Sequence, residues 1–211
     1  SKLSGQRRTR LMLKLADLLW ANLDAIATVE ARNIGKAITS VKGELTQGIS
    51  ELEYFAGAAS KIQGSTHEAP NGFLNYTLRE PLGVCGLIVP WNYPLLLTLR
   101  KLAPAIAAGN AVVLKPALQS TLSALLLGEL ALEAGFPAGA INVISGSGTQ
   151  IGAALAAHPK VDKVSFTGST AVGRSILEAA KSDFRRVSLE LGGKSPAIVF
   201  ADADLASALP S

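Results

Sequence analysis

Apolar residues recur at helical spacing through the first sixty residues of the chain. The positions three and four residues apart are Leu11, Leu15, Leu18, Leu19, Leu23 and Ile26. This period is that of one face of an α-helix. Residues 33–35 predict a helix end, because a glycine commonly follows the last helical residue. The pattern restarts at Leu45, continues to Ala59 and is predicted to stop at Gly64.

From residue 73 the pattern changes to short apolar runs. Residues 73–79 predict a strand, and residues 81–83 predict a turn. Five further strands are predicted at residues 84–89, 111–115, 141–144, 163–166 and 186–190. Helices are predicted between them at residues 94–108, 120–134 and 169–181, with a short one beginning near residue 149. This alternation predicts an α/β fold, an open parallel sheet with helices on both faces, preceded by an N-terminal helical segment.

The composition narrows the class of protein. The chain has 211 residues, of which 48% are hydrophobic and 17% charged, with a net charge of +4. That length can bury a sizeable core, and a mild charge without a basic stripe makes nucleic acid a poor candidate partner. No apolar run approaches the roughly 20 residues of a membrane span, and no secretory segment opens the chain. We therefore expect a soluble cytoplasmic protein without nucleic-acid or membrane partners.

The cysteine and the two histidines offer little chemistry. Cys85 is the single cysteine, so no intrachain disulfide is possible. It lies inside the apolar run at residues 84–89, where we predict a buried, inert thiol. His67 and His158 occur in loop-like segments without acidic partners at metal-ligand spacing. We predict no metal site.

Most residues with candidate chemistry instead lie in five segments at the ends of the predicted strands. These segments are residues 89–92, 114–117, 144–148, 165–170 and 189–193. In an open parallel sheet the carboxyl ends of the strands lie at one edge, and ligands bind there. This clustering predicts a cofactor site at that edge.

Two of these segments carry residues suited to a nucleotide. Gly168 and Gly173 bracket the start of a predicted helix, and the amides of Ser169 and Thr170 suit a diphosphate. A glycine turn with Ser169 as an N-cap is the alternative interpretation. Lys115 follows a strand, where it can bind a ribose hydroxyl or a phosphate, or simply be solvated.

Two other segments carry residues suited to catalysis. Asn92 lies between Pro90 and Pro94, and its side-chain amide can donate to a developing oxyanion. It can equally close an Asx-turn before a helix that begins at Pro94. Glu190 is a carboxylate at the end of an apolar strand, where ionisation is costly.

The four segments together resemble the NAD(P)-dependent aldehyde dehydrogenase superfamily. The motifs, in order, are PWNYP (90–94), GNAVVLKPA (109–117), FTGSTAVG (166–173) and LELGGKSP (189–196). The resemblance extends over essentially the whole chain and implies a Rossmann-like domain that binds NAD or NADP. The cofactor-binding positions that it implies are Val89, Pro90, Trp91, Lys115, Pro116, Ala117, Leu118, Gly148, Gly168, Ser169, Gly173 and Leu191.

The resemblance also implies how the reaction proceeds. Asn92 matches an oxyanion-hole asparagine, and Lys101 matches a lysine that relays protons to the catalytic glutamate. Glu190 matches the general base that activates water to hydrolyse a cysteine thioester. An apolar pocket is expected to raise the pKa of such a base toward neutrality. The product is then a carboxylic acid.

The nucleophilic cysteine of the family occurs beyond the segment that ends at Ser211. We therefore expect the chain to be a fragment without its catalytic domain, inactive alone. The expected organisation is leading helices at 1–64, an oligomerisation strand segment at 65–82 and the Rossmann-like core at 83–211. The intact protein is expected to be a homodimer or homotetramer. A non-catalytic dinucleotide-binding module and, less favoured, a structural protein on the same fold are the alternatives.

Two positions depart from the family pattern. Leu118 stands where the family usually has a glutamate that binds the adenosine ribose. Arg100 occupies a helix position that faces the substrate tunnel in the family. Arg100 and Tyr93 are therefore the candidate substrate contacts, and carboxylate recognition is one possible role of Arg100.

Overall fold

The first three helices form the predicted N-terminal helical segment. The computed structural model describes residues 3–208. Its leading helices are α1 (Gly5–Ala21), α2 (Leu23–Ile34) and α3 (Ile38–Ala58). Gly35 ends α2 in the left-handed conformation, as its position predicted. The predicted stop at Gly64 is wrong, because α3 already ends at Ala58.

A parallel sheet of five strands forms the centre of the molecule. The strands are β3 (Val84–Ile88), β4 (Ala111–Lys115), β5 (Ile141–Val143), β6 (Lys163–Thr167) and β7 (Arg186–Glu190). Their order is β5-β4-β3-β6-β7, and all four pairings are parallel. The predicted open parallel sheet is confirmed, with strand bounds within one residue of those expected.

Helices cover both faces of the sheet, as predicted. They are α4 (Pro94–Ala107), α5 (Leu122–Ala134), α6 (Ala153–Ala157) and α7 (Thr170–Ala180), and a short α8 (Leu205–Ala208) follows the last strand. On one face, Leu87 and Leu114 pack among residues of α4 and α5. On the other, Val164 and Phe166 pack against Ile176 of α7. Side chains that alternate along the strands thus pack into two hydrophobic cores, one on each face of the sheet.

The leading helices share a hydrophobic core with the sheet. Helix α3 packs along α4, and α1 packs against α3 and α5. Leu45 and Ile49 of α3 are fully buried with Leu99 of α4. At Gly48 a Cβ would lie 3.0 Å from the Leu99 Cδ1 atom, so the glycine lets the two helices approach closely. The sheet-covering helix α4 is therefore held between the sheet and α3.

A small hairpin lies between α3 and β3 in the chain. Its strands are β1 (Thr66–His67) and β2 (Asn75–Tyr76), paired antiparallel. The predicted strand at residues 73–79 is thus wrong in extent, because two of its seven residues pair. Phe73, Leu74 and Leu78 are more than two-thirds exposed. Among residues 3–208, no helix is both long and apolar enough to traverse a bilayer.

Candidate functional site

The register of the sheet brings the predicted strand-end segments to one edge. Ile88 of β3 is level with Lys115 of β4 and with Phe166 of β6. Thr167 of β6 is level with Glu190 of β7. Residues 89–92, 114–117, 165–170 and 189–193 therefore leave the sheet side by side, and β5 adds residues 144–148. The sequence prediction of a common edge is confirmed.

The turn between β6 and α7 is built for close approach of the backbone. The Gly168 amide donates to the Glu190 carbonyl at 3.1 Å, and a Cβ at Gly168 would collide with the Phe166 ring. Ser169 is the N-cap of α7, and its hydroxyl accepts from the Val172 amide at 3.4 Å. The predicted cap is therefore confirmed. The Ser169 hydroxyl uses one of the four backbone amides that have no partner within the first turn of a helix. Diphosphate binding at this turn stays a prediction.

Gly173 has a packing role in this structure. A Cβ at this position would lie 2.7 Å from Cδ2 of Leu191, the residue that follows β7. The glycine therefore lets α7 lie directly against the end of β7. Gly148 differs, because a Cβ there would meet nothing within 4 Å. Gly146, which the sequence reasoning did not select, has a φ of +151° and no room for a side chain beside Ile151.

Lys115 is a buried ammonium group at the end of β4. It is 4% exposed, and its Nζ donates to the Pro116 carbonyl at 3.0 Å. Burial lowers the pKa of the Lys115 ammonium. Its side chain runs next to Gly152, where a Cβ would lie 3.9 Å from Cδ and Cε. The alternative of a solvated lysine is therefore wrong.

The remaining positions assigned to the cofactor differ widely in exposure. Val89 is buried, and its amide donates to the Lys115 carbonyl at 3.2 Å. Pro116 is buried, and Pro90 and Ala117 are half-buried. Trp91, Leu118 and Leu191 are exposed, at 57%, 59% and 41%. The sheet edge therefore presents apolar surface beside the buried ammonium.

A cleft with both apolar and charged walls lies between α4 and the strands β3, β6 and β7. It has a volume of about 770 Å³, and Arg100, Lys101, Ser165 and Glu190 are among the residues that line it. The Lys101 Nζ donates to the Ser165 hydroxyl at 3.1 Å. Burial lowers the pKa of Lys101, and the Glu190 carboxylate offsets part of that change. Lys101 and Glu190 thus share one cleft, as the assigned proton relay requires.

Glu190 is exposed, whereas a buried carboxylate was expected at the end of its strand. The residue is exposed at the last position of β7, and its neighbour Leu191 is exposed too. The strands beside it contribute polar side chains to the cleft, namely Ser165 and Thr167 of β6 and Ser188 of β7, while Leu87 of β3 adds an apolar one. The prediction of a buried strand-end carboxylate is wrong for residues 3–208, because Glu190 ends the edge strand β7.

The loop that carries Asn92 precedes α4 and is exposed. Asn92 and Tyr93 are both exposed, and Tyr93, the N-cap of α4, makes no side-chain cap. A side chain from α2 takes that place, because the Glu30 carboxylate accepts from the Leu95 amide at 3.2 Å. Sequence reasoning missed Glu30. Its spacing of four residues from Ile26 would have placed it on the buried face of α2.

Arg100 is engaged by a carboxylate of α3. Its Nε and Nη2 atoms donate to the two Glu51 oxygens at 3.1 and 2.6 Å. This pairing raises the pKa of the Arg100 guanidinium. Any carboxylate that Arg100 recognises must compete with Glu51 for these donors.

Cys85 lies in the wall of the same cleft but is buried, and His67 and His158 do not line it. Cys85 is 2% exposed within β3, and burial raises the pKa of its thiol. The predicted buried cysteine is confirmed. His67 accepts or donates at 2.8 Å with the Ser65 hydroxyl, and His158 Nδ1 accepts from the Lys160 amide. Within residues 3–208, no group of three or more His, Cys, Asp or Glu side chains is placed to hold a metal ion.

Comparison with known proteins shows where this arrangement recurs. Residues 1–211 match the aldehyde dehydrogenase family. An aldehyde dehydrogenase of Emericella nidulans is 53% identical over 209 residues, which are 99% of this chain and 42% of the relative. Aldehyde dehydrogenase 1A1 of Ovis aries is also 53% identical over 209 residues, covering 98% and 42%. The chain thus spans about two-fifths of the length of these relatives.

Two solved structures superpose closely on the chain. The crystal structure of PnpE in complex with nicotinamide adenine dinucleotide has a TM-score of 0.96 and 47% identity, covering 99% of this chain and 43% of that one. The NAD⁺ complex of an aldehyde dehydrogenase from Bacillus cereus has a TM-score of 0.95 and 41% identity, covering 98% and 42%.

Burial of Lys115 predicts a specific dependence of stability on pH. Its pKa is lowered from the ordinary 10.5, so the unfolded state binds more protons between the folded pKa and 10.5. The free energy of unfolding therefore rises with pH in that window, by at most about 1.4 kcal/mol per pH unit. Lys115→Met lacks this gain, so its stability relative to wild type should be highest at pH 7 and decline toward pH 10. Urea unfolding at several pH values measures the difference.

The same substitution at the exposed Lys160 is the matched control. It should show no comparable decline, because Lys160 gives up little hydration on folding. A constant difference between Lys115→Met and wild type across this range would show that burial does not disfavour the charged form.

Proposed function

The chain belongs to the aldehyde dehydrogenase family, and from that premise we propose that the full-length protein oxidises an aldehyde to a carboxylic acid with NAD or NADP. The observation that carries the proposal is the meeting of residues 89–92, 114–117, 165–170 and 189–193 at one edge of a parallel sheet. Dinucleotides bind at such edges. Glu190 and Lys101 lie in the adjoining cleft, where a base and a proton relay are required.

The residues at this edge fit a dinucleotide. Gly168 leaves bare backbone at the N-terminus of α7, where open amides and the helix dipole favour a diphosphate. Lys115 supplies an ammonium for the ribose hydroxyls, held in place by its burial. The nicotinamide ring, when bound, accepts a hydride from the substrate carbon. PnpE and the Bacillus cereus enzyme were solved with the same dinucleotide, which supports this assignment.

The chain's own residues have three proposed roles in the chemistry. The Asn92 amide donates to the oxygen that becomes negative when a cysteine beyond residue 211 attacks the aldehyde. Glu190 takes a proton from the water that hydrolyses the resulting thioester. Lys101 moves protons to and from Glu190 across the cleft, and its lowered pKa suits that role.

We also propose that the full-length protein is a cytoplasmic homodimer or homotetramer. The hairpin of β1 and β2 supports assembly, because Phe73, Leu74 and Leu78 expose more apolar surface than a lone hairpin would be expected to leave in water. A relative from Mus musculus bears the name aldehyde dehydrogenase, cytosolic 1, which supports the compartment. A monomeric mass in light scattering would contradict the assembly.

The test of the proposed function is Glu190→Gln in the full-length protein. This change keeps the shape of the side chain and removes the base. We expect a retained burst of reduced cofactor, followed by a steady rate lowered by about 10²–10⁴, the usual contribution of a general base. Stopped-flow absorbance of the reduced cofactor measures both phases.

Glu178→Gln on the exposed face of α7 is the control and should change neither phase. If Glu190→Gln lowered the burst as much as the steady rate, Glu190 would act before the thioester forms. If it changed neither, Glu190 would not be the base.

The cofactor preference is predicted from Leu118. A leucine neither binds a ribose diol nor repels a 2′-phosphate, so the enzyme should accept NADP at least as well as NAD. Leu118→Glu should shift the ratio of kcat/KM values toward NAD, and Leu132→Glu, at a leucine of matching exposure on α5, should not. A wild-type preference for NAD of a hundredfold, about 2.7 kcal/mol, would exclude Leu118 as the determinant.

The substrate preference is predicted from Arg100 and Glu51. If Arg100 binds a substrate carboxylate, Arg100→Leu should raise KM for a carboxylated aldehyde by roughly the 1.5–3 kcal/mol of a charge-assisted hydrogen bond. Glu51→Gln should lower the same KM, because it frees the guanidinium. Neutral aldehydes of equal length, measured with both variants, are the control. Equal effects on both substrates would leave Arg100 and Glu51 as a structural pair between α3 and α4.

A further inference from the structure

We propose that Glu30, Lys36 and Glu44 form a brace that positions Asn92 for catalysis. The three residues lie on α2, on the turn after it and on α3. Lys36 contacts the loop between β3 and α4, Glu44 pairs with Lys36, and Glu30 contacts the first turn of α4. They are positioning residues, because none of them reaches the cleft that holds Lys101 and Glu190. The inference rests on the proposed function, in which the Asn92 amide stabilises an oxyanion.

Lys36 holds two consecutive residues of the loop. Its Nζ donates to the Asn92 carbonyl at 3.0 Å and lies 3.8 Å from the centroid of the Tyr93 ring. One contact is a charge-assisted hydrogen bond and the other a cation–π interaction. Fixing the Asn92 carbonyl and the Tyr93 ring restricts the backbone dihedrals of these two residues. The direction of the Asn92 side chain depends on those dihedrals.

Glu44 holds Lys36 in turn. Its carboxylate forms an ion pair with the Lys36 ammonium, and both side chains are mostly covered, at 13% and 25% exposure. The second Glu44 oxygen is buried without a hydrogen-bond partner. A half-satisfied carboxylate is costly to bury, and its attraction to the lysine is the compensation that the structure shows. The ammonium is thereby kept from turning outward into water.

Glu30 fixes the other end of the loop. It is 1% exposed, and one oxygen accepts from the Leu95 amide in the first turn of α4. Burial raises the pKa of the carboxyl, and the nearby Ser123 side chain and the Leu95 amide offset part of that change. The bond replaces the side-chain cap that Tyr93 does not make. The start of α4 and the Asn92 carbonyl are therefore both bonded to residues on or beside α2 and α3, which pack in the shared core.

The test compares Lys36→Met with Lys42→Met in the full-length protein. Lys42 pairs with Asp24 at 2.8 Å, so it too joins α3 to α2, but away from the loop. We expect kcat for aldehyde oxidation to fall by roughly 10–100-fold in Lys36→Met, the scale of a catalytic group displaced by about 1 Å. KM for the dinucleotide should change little, and kcat is measured well below the melting temperature, which should fall because Glu44 loses its compensating charge. Lys42→Met should retain the wild-type kcat.

Two further variants separate positioning from folding. Lys36→Arg keeps a cation that can pair with Glu44 and lie over the Tyr93 ring, and it should restore most of kcat. Glu44→Gln leaves Lys36 in place without its ion pair, and it should lower kcat in the same direction. This second comparison carries the test if Lys36→Met does not fold.

A double-mutant cycle identifies the residue through which Lys36 acts. Asn92→Ala removes the side-chain amide, so adding Lys36→Met to it should lower kcat no further. A full additional loss in the double variant, or equal rates for Lys36→Met and Lys42→Met, overturns the proposal. A wild-type protein that oxidises no aldehyde overturns instead the proposed function on which the brace rests.

Discussion

The parallel pairing of β3 with both β4 and β6 sets where these three strands end relative to one another. With Ile88 level with Lys115 and Phe166, the turns after three strands must emerge next to one another. The glycine turn before α7, the buried ammonium of Lys115 and the loop of Asn92 are neighbours for this reason alone. A shift of one residue in either pairing would also move the side chains of the shifted strand to the opposite faces of the sheet.

Helix α4 connects this edge to the rest of the molecule. It begins just after the Asn92 loop and carries Arg100 and Lys101 into the cleft, while Leu99 and Leu102 are buried. Two residues of its neighbour α3 form ion pairs here. Glu51 pairs with Arg100, and Glu44 pairs with Lys36, which contacts the loop. The leading helices therefore contribute to the site as well as to the core.

Buried charge is concentrated around the proposed chemistry. Lys115 and Glu30 are nearly inaccessible. Burial lowers the pKa of Lys115 and raises the pKa of Glu30, so that it favours the neutral form of each side chain. Lys115 donates a hydrogen bond to the Pro116 carbonyl, and Glu30 accepts one from the Leu95 amide. Such groups cost stability unless they are paired, and they cluster at functional sites more often than elsewhere. Their positions agree with a ligand-binding edge at the strand ends.

The sequence by itself determined the elements and the edge at which they meet. Short apolar runs and helical spacing located the sheet strands and most helices, because local periodicity reports burial. It did not determine the exposure of Glu190 or the burial of Lys115, since each depends on whether its strand lies at the edge or the centre of the sheet. The contacts of Glu30 with Leu95 and of Glu51 with Arg100 join residues 65 and 49 positions apart. Only the packing of α2 and α3 on α4 decided them, because no local pattern encodes which distant side chain will fill a given space.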